Sequence, residues 1–164
     1  MPAHLWQLLD FRGVDALQNL HPLIVHYPIA LLTACIPIYF LAWVLRRESL
    51  EFVGLWLLGL GALGAIAAAY TGLLGSEGVM IAPSVRANIL VYHKSLMLTV
   101  LGLSVVLAGW AIIARPMPRR FRTVFMIGLV VMGLVLAKGA DYGGWMVYGY
   151  NAGGSLPQPI EFSQ

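Results

Sequence analysis

The stretch Leu23–Leu45 reads LIVHYPIALLTACIPIYFLAWVL and contains no aspartate, glutamate, lysine or arginine. Two arginines, Arg46 and Arg47, follow it directly. A helix of about 20 apolar residues is long enough to cross the hydrocarbon core of a bilayer. Because a backbone inside lipid has to satisfy its hydrogen bonds within its own segment, this stretch is predicted to be a transmembrane helix.

Three further apolar segments follow along the chain. The four helices are predicted at about 23–45, 52–74, 89–114 and 122–140. The chain is 60% hydrophobic and only 10% charged, whereas about 25% of the residues in a soluble domain are charged. We therefore predict an all-α, polytopic membrane protein with a four-helix domain over residues 21–150. An interfacial segment is expected at 1–20 and an exposed tail at 151–164.

The basic residues indicate how this bundle is oriented. Six arginines occupy the links between helices one and two and between helices three and four: Arg46, Arg47, Arg115, Arg119, Arg120 and Arg122. The positive-inside rule places such links in the cytoplasm, so both termini are expected outside. In a bacterium this is the inner membrane, with the termini in the periplasm. The net charge of +3 does not indicate nucleic-acid binding, because the basic residues lie between apolar runs, and the bilayer is the expected partner.

Two histidines stand near the starts of helices that cross in the same direction, His26 in the first and His93 in the third. Their imidazoles are therefore expected at similar depth, near the outer face. Ionisable groups inside a membrane are expensive and are candidates for a functional site. Histidine is a common axial ligand of haem, and bundles build cofactor sites from facing helices. The pattern predicts one b-type haem whose iron is held by His26 and His93, with His21 as the rival ligand.

Other residues extend this predicted site. Arg86 and Lys94 are expected to pair with haem propionates, and Met97 to pack on the ring or replace a ligand. At the outer end of the fourth helix, Asp141 is a candidate acceptor for an imidazole N–H. Tyr148 and Tyr150 complete a possible lid in this interpretation. Two plainer interpretations stay open: an interfacial belt for the aromatic residues, and histidines that only bond loop carbonyls.

The segment His21–Leu31, HPLIVHYPIAL, resembles the signature of a bacterial family of small four-helix membrane proteins, domain of unknown function 2231. The likeness continues at Ala69–Gly72, at His93 and at Gly143–Tyr148, and it covers roughly residues 20 to 152. It implies the four-helix fold and makes His21, His26 and His93 family positions, but it implies no activity. Family members carry histidines where this chain has Asp141 and Tyr150, so part of any site there is lost or altered.

The layout is also similar to that of cytochromes b of the b561 type, which hold two haems between histidines of facing helices. This chain has no histidine in its cytoplasmic half, so only the outer haem is expected. The expected function is an electron-transfer subunit that exchanges electrons between membrane quinol and a periplasmic redox protein. Quinone is a second candidate cofactor.

Two other functions stay open. The first is a cofactor-free structural or anchoring subunit whose outer loops dock a larger complex. The second is a small metal-handling or transport protein that uses the same histidines. The sequence offers no nucleophile–base constellation and no phosphate loop, so no catalytic residue is assigned. We expect at most a subunit of an oxidoreductase complex rather than an enzyme by itself.

Overall fold

The computed structural model describes residues 19–79 and 81–152. Most of the expected interfacial segment 1–20, with His4, and most of the expected tail 151–164 lie outside these described residues.

The described residues form four long helices: α1 (His21–Leu45), α2 (Glu48–Gly78), α3 (Pro83–Ala114) and α4 (Arg122–Tyr150). Each is long and apolar enough to cross a membrane, and the described residues form no strand. The prediction of an all-α, four-helix membrane protein is therefore confirmed.

The helices continue further than the apolar segments indicated, most of all α4, which ends at Tyr150 instead of near residue 140. Lys138 and the pair Gly143–Gly144 lie inside it without ending it. A glycine inside a helix costs only about 1 kcal/mol, whereas unpaired backbone groups in lipid cost several kcal/mol each. The backbone near the bilayer therefore stays helical through residues that often end a helix in water.

Successive helices are neighbours in the bundle: α1 packs on α2, α2 on α3 and α3 on α4, and α1 meets α4 to close the ring. Short links connect α1 to α2 and α3 to α4, and both carry arginines. We call this side the arginine end. The opposite side, which holds His21, His93 and the link between α2 and α3, is the histidine end.

The core is tightest toward the arginine end. The Tyr39 side chain is fully buried and meets the Phe125 ring edge to face, with 5.1 Å between the ring centroids. Its hydroxyl donates a hydrogen bond to the carbonyl of Pro116 at 3.2 Å. Leu32, Leu58 and other apolar residues continue this core along the bundle axis. The Tyr39 side chain is thus fixed by its ring contact with Phe125 and by its hydrogen bond to Pro116. A shift of the ring would weaken one of these two interactions.

Glycines of α2 let α1 come close. A Cβ atom added to Gly54 would lie 2.9 Å from Cδ2 of Tyr39, and one added to Gly61 would lie 2.6 Å from Cδ2 of Leu32. Such contacts between small residues and large side chains drive helix association in lipid, where apolar surface alone gives little preference for a neighbouring helix.

Two irregular turns lie at the histidine end. The helical pattern of α1 is interrupted at Val25, between His21–Ile24 and His26–Leu45. Pro28 explains the interruption, because it has no N–H to bond the Ile24 carbonyl and its ring crowds that carbonyl. In α3, Arg86–Leu90 forms a π-helical turn shortly before His93. Such turns are rare and occur frequently at functional sites.

We predict that Gly54→Ala destabilises the bundle, whereas Gly59→Ala does not. The new methyl group at Gly54 would push on the Tyr39 ring, which is fixed at both ends, and overpacking of this kind costs about 1–3 kcal/mol. A Cβ at Gly59 meets nothing within 4 Å. Thermal unfolding of the detergent-solubilised protein measures both. Equal midpoints for the two variants would contradict the proposed close packing at Gly54.

Candidate ligand cavity at the histidine end

A cavity of about 420 Å³ opens between the four helices at the histidine end. Its volume falls within the range of roughly 300–1,000 Å³ usual for ligand pockets. Small residues make up much of its wall: Ala65, Ala68, Ala69, Gly72, Gly75, Ala140, Gly143 and Gly144. These residues leave space near the helix axes that larger side chains would fill.

Two imidazoles meet in this cavity, those of His21 and His93. Their ring centroids are 6.5 Å apart and their planes are nearly perpendicular, at 83°. Nδ1 of His21 lies 3.0 Å from the carbonyl oxygen of Ala68 and 3.3 Å from Oγ1 of Thr71. Nδ1 of His93 lies 2.8 Å from the carbonyl oxygen of Gly139.

These bonds assign the tautomer of each ring. A carbonyl oxygen only accepts, so the Nδ1 atoms of His21 and His93 carry the protons and donate them. Each neutral ring then keeps its lone pair on Nε2, and neither Nε2 has a hydrogen-bond partner among residues 19–79 and 81–152. The pair therefore offers two free nitrogen donors at one cavity.

Neighbouring glycines provide the space in which the two rings lie. The N–H of His21, the first residue of α1, bonds Oδ1 of Asn19 at 3.0 Å. Its ring lies against α2 at Gly72, where a Cβ would be 2.7 Å from Cε1. The ring of His93 lies against α4 at Gly143, where a Cβ would be 3.0 Å from Cε1. Larger residues at either glycine would displace the imidazole.

His26 lines the same cavity but is exposed, and the described part of the chain shows no ring contact between it and His93. The pairing of His26 with His93 preferred from the sequence is therefore not the one that the fold forms. Five residues along a helix turn a side chain by roughly 140°, and the interruption at Val25 lies between His21 and His26. Only His21 is brought against α2 and toward His93.

The two cations expected near the site have different surroundings. The Arg86 guanidinium donates to the carbonyl oxygens of Ser76 and Val79, each at 2.6 Å, so it caps the C-terminal end of α2. Lys94 lines the cavity, and its Nζ donates to Oγ of Ser76 at 3.2 Å. Met97 also lines the cavity and is half-buried. Lys94 is thus the better placed of the two cations to meet a ligand.

Asp141 does not bond an imidazole. It forms an exposed ion pair with Lys138, with 2.7 Å between Nζ and Oδ2, while the carbonyl of Gly139 accepts the proton of His93. The pairing is local, because residues three apart in a helix share a face. The predicted role of Asp141 is therefore taken by the backbone of the same helix.

The aromatic residues at this end of α4 form a surface cluster. Tyr148 is 93% exposed at the cavity rim. Tyr150 lies beside Trp145, with 5.9 Å between the ring centroids. Trp145 in turn stacks near Tyr142, which stacks on Tyr92. This arrangement fits the interfacial aromatic belt better than a closed lid.

The donor set is small. The described residues contain no group of three or more histidine, cysteine, aspartate or glutamate side chains that could hold a metal ion. Cys35 is buried in the core, where its Sγ donates to the Leu32 carbonyl. Within the described ranges, the contact between His21 and His93 is therefore a pair of imidazoles without a third such side chain beside it.

Replacing Arg86 by glutamine is predicted to lower the free energy of unfolding while His21 and His93 keep their positions in the cavity. The variant loses two charge-assisted bonds to the last carbonyls of α2, and such bonds contribute about 1.5–3 kcal/mol each. Thermal unfolding checks this against Arg119→Gln, which removes an equal charge from an exposed link. An unchanged midpoint for Arg86→Gln would exclude the capping role.

Comparison with known proteins agrees with this architecture. No curated protein and no solved structure matches the chain. The family described as "Predicted membrane protein (DUF2231)" matches over residues 17–155. This range includes all four helices and all the residues that line the cavity. The match spans most of the chain, so the protein belongs to the DUF2231 family of membrane proteins.

Proposed function

We propose that this protein is a membrane electron-transfer subunit that would bind one b-type haem at the histidine end, held by Nε2 of His21 and Nε2 of His93. One observation carries the proposal. Two imidazoles from different helices meet at a cavity, each with its Nδ1 bound to a backbone carbonyl and its Nε2 free. Metal-ligating histidines in general donate their other ring N–H to a carbonyl, carboxylate or water.

The spacing of the rings supports this assignment. The observed separation is 6.5 Å. The two rings are therefore close enough that both could hold one haem.

The number of donors favours haem over a bare ion. Structural zinc takes four protein ligands and catalytic zinc takes three, whereas the described residues offer two imidazoles and no larger cluster. Haem brings its own four equatorial nitrogens and needs only axial ligands from the protein. Two histidines are therefore a complete protein contribution for haem and an incomplete one for zinc.

The cavity wall suits a flat, largely apolar guest with charged edges. Alanine and glycine residues of α2 and α4 leave room beside the imidazoles. Lys94 is a cation for a propionate, and Met97 offers a polarisable thioether to a macrocycle. Arg86, which caps α2, has a mainly structural role in this proposal.

The proposed orientation follows from the six arginines at the opposite end, which favour a cytoplasmic location for that end. The histidine end then faces the periplasm of a bacterium whose inner membrane holds the protein. Bound haem supplies one-electron chemistry, and its place near one face suits exchange between membrane quinol and a periplasmic redox protein. A single site at one face does not carry electrons across the bilayer.

The main alternative is a structural histidine pair in an anchoring subunit. Such a pair would make the same Nδ1 bonds, but it would not need two unpartnered Nε2 atoms at one cavity. Neither Nε2 is a buried atom that lacks a partner, so both remain accessible to a ligand in the cavity.

The histidine variants test the proposal directly. The protein is produced with a haem precursor supplied, or reconstituted with hemin, and its Soret absorption and haem content are measured. We expect one low-spin haem per chain, lost in His21→Ala and in His93→Ala and retained in His26→Ala. His26 is the matched control, because it lines the cavity but, within the described residues, makes no ring contact with His93.

Gly72→Ala provides a second test at the same site. Its methyl group would displace the His21 ring, so we expect weaker haem binding, while Gly78→Ala, whose Cβ would meet nothing within 4 Å, should bind normally.

A folded protein that stays colourless with hemin present would overturn the proposal. Loss of haem in His26→Ala with retention in His21→Ala would restore the assignment made from the sequence. Metal without haem in elemental analysis would indicate metal handling instead.

A further inference from the structure

A second opening lies at the arginine end, far from the histidines. This crevice of about 510 Å³ lies where the end of α1 meets the start of α4. Its lining residues are Phe40, Trp43, Val44, Arg46 and Arg122. Three apolar side chains thus lead along α1 to two guanidinium groups.

The two arginines occupy helix ends that the fold brings together. Arg46 follows the last residue of α1 in a left-handed conformation, with φ 53°. Arg122 is the first residue of α4, and no side chain caps that helix start. The first N–H groups of a helix have no partner within the helix and carry a partial positive charge. Both arginines and the helix start therefore favour a negative charge in the crevice.

The hydrogen bonding of Arg122 is incomplete. Arg122 donates from NH2 to Oε1 of Glu51 at 3.4 Å, which is long for an ion pair. Within the described residues, its buried Nε has no partner, and neither has the buried Oε2 of Glu51. A guanidinium has five donors. Glu51 offsets part of the Arg122 charge, so an anion in the crevice would rely on the free donors of Arg122 together with Arg46.

The shape of the crevice indicates an amphiphilic occupant. Phe40 and Val44 are exposed, at 52% and 59%, on a helix that crosses the membrane. Their surroundings are therefore acyl chains, while Arg46 and Arg122 lie at the helix ends, at the level of the headgroups. Basic pockets between transmembrane helices on the cytoplasmic side bind anionic lipid headgroups in other membrane proteins.

We propose that this crevice is a binding site for one anionic phospholipid, with its phosphate between Arg46 and Arg122 and an acyl chain along Phe40, Trp43 and Val44. A second copy of this chain fits less well, because it would bring a like-charged arginine end to the site. Binding of a lipid here would join α1 to α4, the helices whose contact closes the bundle. The proposal is independent of any ligand at the histidine end.

Native mass spectrometry of the full-length protein, titrated with phosphatidylglycerol or phosphatidylcholine in detergent, tests this site. A lysine or arginine near an anionic membrane surface contributes enough free energy to change affinity about fivefold. We expect Arg46→Gln to weaken phosphatidylglycerol binding by about this factor and to leave phosphatidylcholine binding unchanged. Arg119→Gln, at an exposed position outside the crevice, is the control and should bind as the unaltered protein does.

Arg122 needs a paired substitution, because Arg122→Gln alone would leave the buried Glu51 carboxylate uncompensated. The double variant Glu51→Gln/Arg122→Gln keeps the net charge and should also weaken phosphatidylglycerol binding. Equal loss in Arg119→Gln would show that only the general surface charge matters and would overturn the site. Equal binding of phosphatidylcholine, or full competition by inorganic phosphate at the concentration of the lipid, would overturn it as well.

Discussion

Lipid offers no hydrogen bonds to a polypeptide backbone, and this constraint shapes both the fold and its two polar ends. All four spans are helical because only a helix satisfies its backbone within its own segment. The same constraint leaves few places for side-chain chemistry. Among the described residues, several polar side chains bind backbone carbonyls of a neighbouring helix or link, both inside helices, as at Ala68 and Gly139, and at links, as at Pro116.

The histidine end shows this relation between backbone and side chain. His21 and His93 each bind a carbonyl of another helix, those of Ala68 in α2 and Gly139 in α4. These two bonds connect α1 to α2 and α3 to α4. Because α2 also packs on α3, the imidazoles are held by the same contacts that hold the bundle together. A ligand bound between them would therefore stabilise the arrangement of all four helices.

The arginine end has the opposite character. A buried tyrosine and a close aromatic contact fill its interior, and most of its arginines lie in or beside the links, where Arg122 pairs with the buried Glu51. The interior at the histidine end is open and lined by small residues. The interior of the bundle is thus filled by large side chains toward the arginine end and open toward the histidine end.

The sequence by itself determined the number of helices, their approximate positions and the concentration of arginines at one end, since these follow from hydropathy and charge along the chain. It also indicated that histidines, Lys94 and Met97 belong to one region. Only the tertiary structure decided that His21 rather than His26 meets His93, that backbone carbonyls rather than Asp141 accept the imidazole protons, and that Gly72 and Gly143 provide the space for the rings. The physical reason is that helical periodicity fixes which residues share a face of one helix, whereas the rotation and close approach of neighbouring helices depend on how glycines and large side chains fit together across the bundle.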